Sequence, residues 1–217
     1  MHTARTLPPA DADPIALARS IEARAEASSA PKPEPAVDAL CEAALTQHPG
    51  HAAITTATAH WYLATDRPEQ AMLVCEEAFG HNAAGIRDDR AVQAAWGEAL
   101  LALDRAQEAV WHLSAACTKA GANPDDWARL AQAQCRCGSY SDAIASAREA
   151  TLRPWAYPAS ADDACATMAT AHYCLGQMAE AEGILEELLA RSPRHAEGRK
   201  LLHKVRNFMG KGMKHDS

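Results

Sequence analysis

Seven cysteines and ten histidines in 217 residues are the side chains most able to do chemistry. Cys135-Arg136-Cys137 has the look of a metal or redox pair, because thiolates bind soft cations and interconvert with disulfides. On a helix, residues two apart point about 200° away from each other, so both thiols cannot reach one ion. Ordinary packing or exposure is therefore expected for the pair. His172-Tyr173-Cys174 could supply a ligand or a base, but a partly buried, hydrogen-bonded His172 is the expected state. No two histidines stand at i, i+4 on one helix face, as a zinc or haem site would favour. Nor does the chain carry a Gly-rich phosphate loop, a Gly-x-Ser-x-Gly elbow or a His-Glu-x-x-His sequence. The expectation is no enzyme, no metal and no cofactor. The competing reading is a metal- or thiol-dependent enzyme around His60, His112, His172 and the cysteines, which metal analysis of the purified protein would expose.

What must position these groups is a helical chain. Fifty-one residues are alanine while Phe (2) and Tyr (4) are sparse, a balance that favours helix over strand. With 48% hydrophobic residues the chain can bury a sizeable core. The formal charge of −7 argues against bulk attraction to nucleic acid or an anionic membrane. No run approaches the length of a membrane span, and the N-terminal stretch has neither an apolar signal segment nor a cysteine for lipidation. An odd cysteine count in helix-like sequence does not suggest a disulfide framework, so a reducing cytoplasmic address is expected.

The chain repeats itself. One unit runs from Pro124 through Trp127, Leu130 and Ala131 to Gly138 and Tyr140, then Ala143, Ala147 and Ala150. A second runs from Asp162 through Met168 and Ala169 to Gly176, then Ala181, Leu185, Leu188 and Pro193. Small residues fall where two helices must approach closely, and a glycine falls where the chain must turn. Each unit therefore reads as a helical hairpin of about 34 residues. The small markers Val37, Ala71, Ala109, Ala143 and Ala181 are spaced by 34, 38, 34 and 38 residues. The two long intervals each add about one helical turn, near residues 86–89 and 158–161.

These residues resemble the tetratricopeptide repeat (TPR) family, whose pattern is Trp-x2-Leu-Gly-x2-Tyr, a turn glycine, Ala-x3-Phe-x2-Ala and a closing proline. The unit at 124–157 departs from it with Gln134 at the Tyr position, and the unit at 162–195 with Cys165 at the Trp and His172 at the Tyr position. Weaker units lie at 52–85, with Asp66 at the turn glycine, and at 90–123, with Trp96 at the Leu position and Asp104 at the turn. Cys41 and Cys75 share a repeat position that wants a small buried side chain. The resemblance implies an all-α, right-handed superhelical solenoid of TPR hairpins. Its expected parts are a disordered stretch at 1–14, a degenerate first repeat with a Pro-rich turn at 15–51, four TPR-like repeats at 52–194, a capping helix at 195–209 and a frayed tail at 210–217.

In the resembled family the concave groove is lined by set positions of the first helices. Carried over, they give the candidate partner-binding residues His60, Leu63, Glu98, Leu101, Asp125, Arg129, Gln132, Arg136, Thr170 and Tyr173, with Thr56, Asp163 and Thr167 nearby. Many alanines and threonines make such a groove roomy, while Leu63, Leu101 and Tyr173 would offer apolar contact. The basic set with which chaperone-adaptor members hold a terminal carboxylate is missing: those positions carry Thr56, His60, Ala94 and Glu98. Trp61, Trp111, Trp155 and Tyr157 are alternative anchors if exposed. The reading is a non-catalytic protein-interaction scaffold or adaptor, cytoplasmic, holding a protein or peptide partner, with no nucleic acid and no membrane insertion. Two alternatives stay open: a secretion-type TPR chaperone, and a self-assembling homo-oligomer.

Overall fold

The computed structural model describes residues 12–26, 32–152 and 158–212, and all secondary structure among them is helical. Two compact units divide the chain, Met1–Gly121 and Ala122–Ser217. Unit 1 holds α1 (Pro14–Glu26), α2 (Pro35–Gln47), α3 (Ala52–Ala64), α4 (Pro68–His81), the short α5 (Ala83–Asp88), α6 (Arg90–Ala102) and α7 (Ala106–Thr118). Unit 2 holds α8 (Pro124–Arg136), α9 (Tyr140–Thr151), α10 (Pro158–Cys174), α11 (Met178–Arg191) and α12 (Ala196–Gly212). None of these helices is long and apolar enough to cross a membrane.

Four hairpins, α3–α4, α6–α7, α8–α9 and α10–α11, are closed by three-residue turns of one geometry. The middle residue is left-handed: Asp66 and Asp104 at φ 59°, Gly138 at 79° and Gly176 at 77°. That conformation lets the next residue's N–H reach back to an orphan helix carbonyl, as in Arg67 to Tyr62 (2.8 Å) and Gln177 to His172 (2.9 Å). Aspartate tolerates this region better than most residues, but glycine carries no Cβ to clash. Asp66→Gly is therefore expected to raise folding stability by about 0.5 kcal/mol, read as an upward shift of the urea midpoint.

The repeat markers Val37, Ala71, Ala109, Ala143 and Ala181 are all 0% exposed, so small side chains sit where the helices meet. Gly97 shows how tight this is, since a Cβ there would lie 2.5 Å from Leu113 Cγ. The first long interval is filled by α5, which Asn82 caps through the Gly85 N–H (3.1 Å) and which buries Ile86. The second falls in α10, which is 17 residues long and starts at Pro158.

Either side of its Pro-rich turn, the first hairpin is helical over Pro14–Glu26 and Pro35–Gln47. α1 begins at Pro14, inside the stretch expected to be disordered, because Asp13 accepts from the N–H of Ala16 (3.1 Å) and caps it. Leu17, Ala18 and Ile21 are buried, and α1 packs against α3 as well as α2. Trp61, a candidate exposed anchor, is instead 1% exposed and donates its indole N–H to Asp38 Oδ1 (2.8 Å). The capping helix runs on to Gly212, so residues 210–212 are helical, with Val205 wholly buried against α11. Residues 1–11, the middle of the Pro-rich turn at 27–31, the loop with Trp155 and Tyr157, and the tail at 213–217 lie outside the described residues.

Candidate functional site

In unit 2 the first helices of two successive hairpins, α8 and α10, pack side by side, with α12 against α10. A cavity of about 490 Å³ opens across them. α8 contributes Asp125, Ala128, Arg129 and Gln132, α10 contributes Asp163, Ala166, Thr167 and Thr170, and the start of α12 contributes His195 and Glu197. The spacings i, i+4, i+7 on α8 and on α10 put each set on one helix face. Small Ala128 and Ala166 leave the room that the polar residues surround.

Each wall is fixed locally. α8 starts with a capping box in which the Asp126 N–H donates to Asn123 Oδ1 (2.9 Å) and the Asn123 N–H to Asp126 Oδ2 (3.1 Å). On α10 the Thr167 and Thr170 hydroxyls donate to the carbonyls of Asp163 (2.9 Å) and Ala166 (2.8 Å). Their hydrogens are thus used within the helix, which leaves the oxygens as acceptors. His195 joins the wall to α12. Its Nδ1 accepts from the Gly198 N–H (3.0 Å), capping α12, so the ring proton sits on Nε2, which donates to Asp163 Oδ1 (3.1 Å). At the rim, Lys200 holds the Glu197 carboxyl below its usual range. The cavity therefore presents three carboxylates, one guanidinium, an amide and two hydroxyl acceptors over small apolar residues.

A neighbouring hollow of about 420 Å³ shares Asp163 and His195 and is closed by Asp162, Ser192, Pro193 and Arg194. There the Ser192 hydroxyl and Arg191 both donate to the Asp162 carboxylate.

Asp125, Arg129, Gln132 and Thr170 are thus brought together, along with Asp163 and Thr167. Arg136 and Tyr173 do not line the cavity; Arg136 is exposed, and Tyr173 lies half-buried against the Cys165, Ala169 and Leu185 cluster. In unit 1, His60 is exposed on α3, with Leu63 and Glu98 half-buried. Leu101 is a correction: only 5% exposed, it packs into the unit and offers no open apolar contact. Thr56 is likewise buried, at 7%. Sequence reasoning passed over His195 and Glu197, because a histidine before a capping helix reads as a cap and its nearness to Asp163 arises only on packing.

Cys41, Cys75 and His172 are buried. Cys41 and Cys75 are wholly buried, and burial pushes both thiols up to about 12. None of the seven cysteines is in a disulfide. His172 is 6% exposed with Nδ1 2.6 Å from Gln177 Oε1. Among the described residues no group of three or more His, Cys, Asp or Glu is arranged to hold a metal ion.

No protein-family profile matches the chain, and no curated protein matches it in sequence. Solved structures do match in fold. YrrB, a TPR protein with an unusual peptide-binding site, is 13% identical with a TM-score of 0.66, over 87% of this chain and 91% of that one. PilW, a type IV pilus biogenesis factor, is 18% identical with a TM-score of 0.65, over 88% and 84%. TPR-like repeats of a Podosopora anserina protein described as a kinesin light chain are 17% identical with a TM-score of 0.61, over 85% and 99%. At such identities the likeness is one of fold: the chain is all-α and of the tetratricopeptide-repeat type.

Proposed function

We propose that this chain of tetratricopeptide-repeat fold is a non-catalytic scaffold that holds a segment of another protein along its first-helix faces, with the α8–α10–α12 cavity as the seat. The observation that carries this reading is the cavity itself: about 490 Å³, with its small-residue floor and its spread of donors and acceptors. A preformed surface of this kind leaves the ordering cost to the bound segment. The peptide-binding site that gives YrrB its description supports the same use of this fold. The absence of disulfides among seven cysteines supports a reducing, cytoplasmic setting.

The test is affinity capture from the source lysate with wild type and three variants. Arg129→Glu/Gln132→Ala changes the cavity wall, Thr167→Trp fills it, and Arg136→Glu alters the same helix outside it. Circular dichroism first establishes that all are folded. Retention of a protein by wild type and Arg136→Glu, with at least a tenfold drop for the two cavity variants, is the expected result. Equal retention by all four forms would place the binding surface elsewhere.

A further inference from the structure

Two large apolar side chains on the second helices of unit 1 face solvent, Leu73 on α4 at 49% exposure and Trp111 on α7 at 59%. They are equivalent in the repeat, each two residues after a buried marker, Ala71 or Ala109; Ala145 and Gly183 hold the same position in unit 2. Trp111 meets His112 edge-on at 4.6 Å, and His112 is stacked on Trp96 at 4.1 Å, so the indole is oriented before any partner arrives. A pre-oriented aromatic open to solvent is the residue type that anchors interfaces. The charge around this pair is net acidic, although Arg105 reaches in to Met72 of α4 (2.7 Å). α4 carries Glu69, Glu76 and Glu77 with no lysine or arginine, while Glu108 of α7 is offset by Arg105.

α12 is the converse, with Arg199, Lys200, Lys204 and Arg206 against a single Glu197, which Lys200 holds at 2.8 Å. Arg206 is held by Glu182 (2.7 Å) and Glu186 (2.6 Å) of α11. Lys204 and Phe208 each lie about 200° around the helix from Arg206, so these ion pairs leave them turned away from the carboxylates that hold it. Lys200, Lys204 and Phe208, at i, i+4 and i+8, form an exposed stripe in which Phe208 is 59% exposed.

We propose that the α12 stripe of one copy docks on the Leu73 and Trp111 face of a second copy. Phe208 seats against Leu73 and Trp111, and Lys200 and Lys204 face the α4 carboxylates. Charge complementarity, together with exposed apolar groups on both surfaces, selects another copy of this chain as the occupant. The two surfaces differ, so each contact joins α12 of one copy to α4 and α7 of another. One helix laid on two helices buries less than a standard interface, so a weak association is expected.

The test is sedimentation velocity of the full chain from about 5 to 500 μM, a range suited to weak association. Mass is expected to grow with concentration, and to grow less in high salt. Trp111→Ser and Phe208→Ser, both at exposed positions and checked by circular dichroism, are each expected to weaken association at least tenfold. Lys200→Glu/Lys204→Glu alone and Glu69→Lys/Glu77→Lys alone are expected to stay monomeric, and their mixture to assemble, because each then meets a face of opposite sign. A wild type that remains monomeric throughout, growth untouched by Trp111→Ser and Phe208→Ser, or a mixture that fails to assemble would each overturn the proposal.

Discussion

Asp38→Ala is expected to lower folding stability by about 2–3 kcal/mol, one of the two largest effects anticipated. The Asp38 carboxylate accepts the Trp61 indole N–H (2.8 Å) and takes both Nη1 (3.0 Å) and Nη2 (2.8 Å) of Arg67. Arg67 in turn donates from Nε to Thr65 Oγ1 (2.9 Å) and covers the Tyr62 ring at 4.6 Å. Removing the carboxylate strands a buried indole N–H and uncouples a guanidinium, and the unmade bonds cost more than the made ones contribute. The ion pair is 20% and 26% exposed, so water softens the loss below the value for a fully buried pair.

Asp38→Ala/Arg67→Met is expected to recover part of the loss, because no unpaired charge remains; urea unfolding of the set checks this. A double variant no more stable than Asp38→Ala would mean that the indole bond, and not the charge, dominates. Arg67 and Trp61 together hold the Asp38 carboxyl below its ordinary range. The stabilisation is therefore present above the unfolded carboxylate pKa, and is lost only as pH falls through the depressed value.

His112 carries the second large effect, a stability that depends on pH. It is 8% exposed, with Nδ1 2.9 Å from Gln93 Oε1. Gln93 Nε2 donates to the Ile86 carbonyl (3.0 Å), which leaves Gln93 Oε1 as the acceptor and puts the ring proton on His112 Nδ1. Burial between Trp96 and Trp111 pushes the imidazole pKa from 6.5 down to about 4, against a weaker opposing pull from Glu108. Between those values the unfolded chain binds the proton and the folded chain does not, so stability rises with pH across the window. Acidifying from above pH 6.5 to pH 4 is expected to remove about 3 kcal/mol through this one group. His112→Asn keeps an N–H donor for Gln93 but cannot titrate, so its loss over the same range should be smaller by that amount. Parallel stability-versus-pH curves for the two proteins would show that the buried ring is not the source.

Local sequence carried much of the fold. The alanine-rich runs, the markers spaced by 34 and 38 residues and the turn residues Asp66, Asp104, Gly138 and Gly176 act within one hairpin, through propensity, a short backbone hydrogen bond and a left-handed φ. Four cavity residues, Asp125, Arg129, Gln132 and Thr170, were also legible, through the groove positions that the family resemblance carries onto this sequence. Exposure was not legible in the same way. Trp61 is buried because Asp38, 23 residues away, receives its N–H, and Leu101 is buried by packing that its own helix does not encode. His195 joins the cavity only because α12 folds back to place it against Asp163, 32 residues earlier.

The sequence by itself determined that hairpins form, where they turn and which helix faces are small enough to stack, since each of these is settled by neighbours three to five residues apart. The tertiary structure alone decided which of those faces close over one another and which stay open. Burial is a property of contacts between segments distant in the chain, and no local pattern states it.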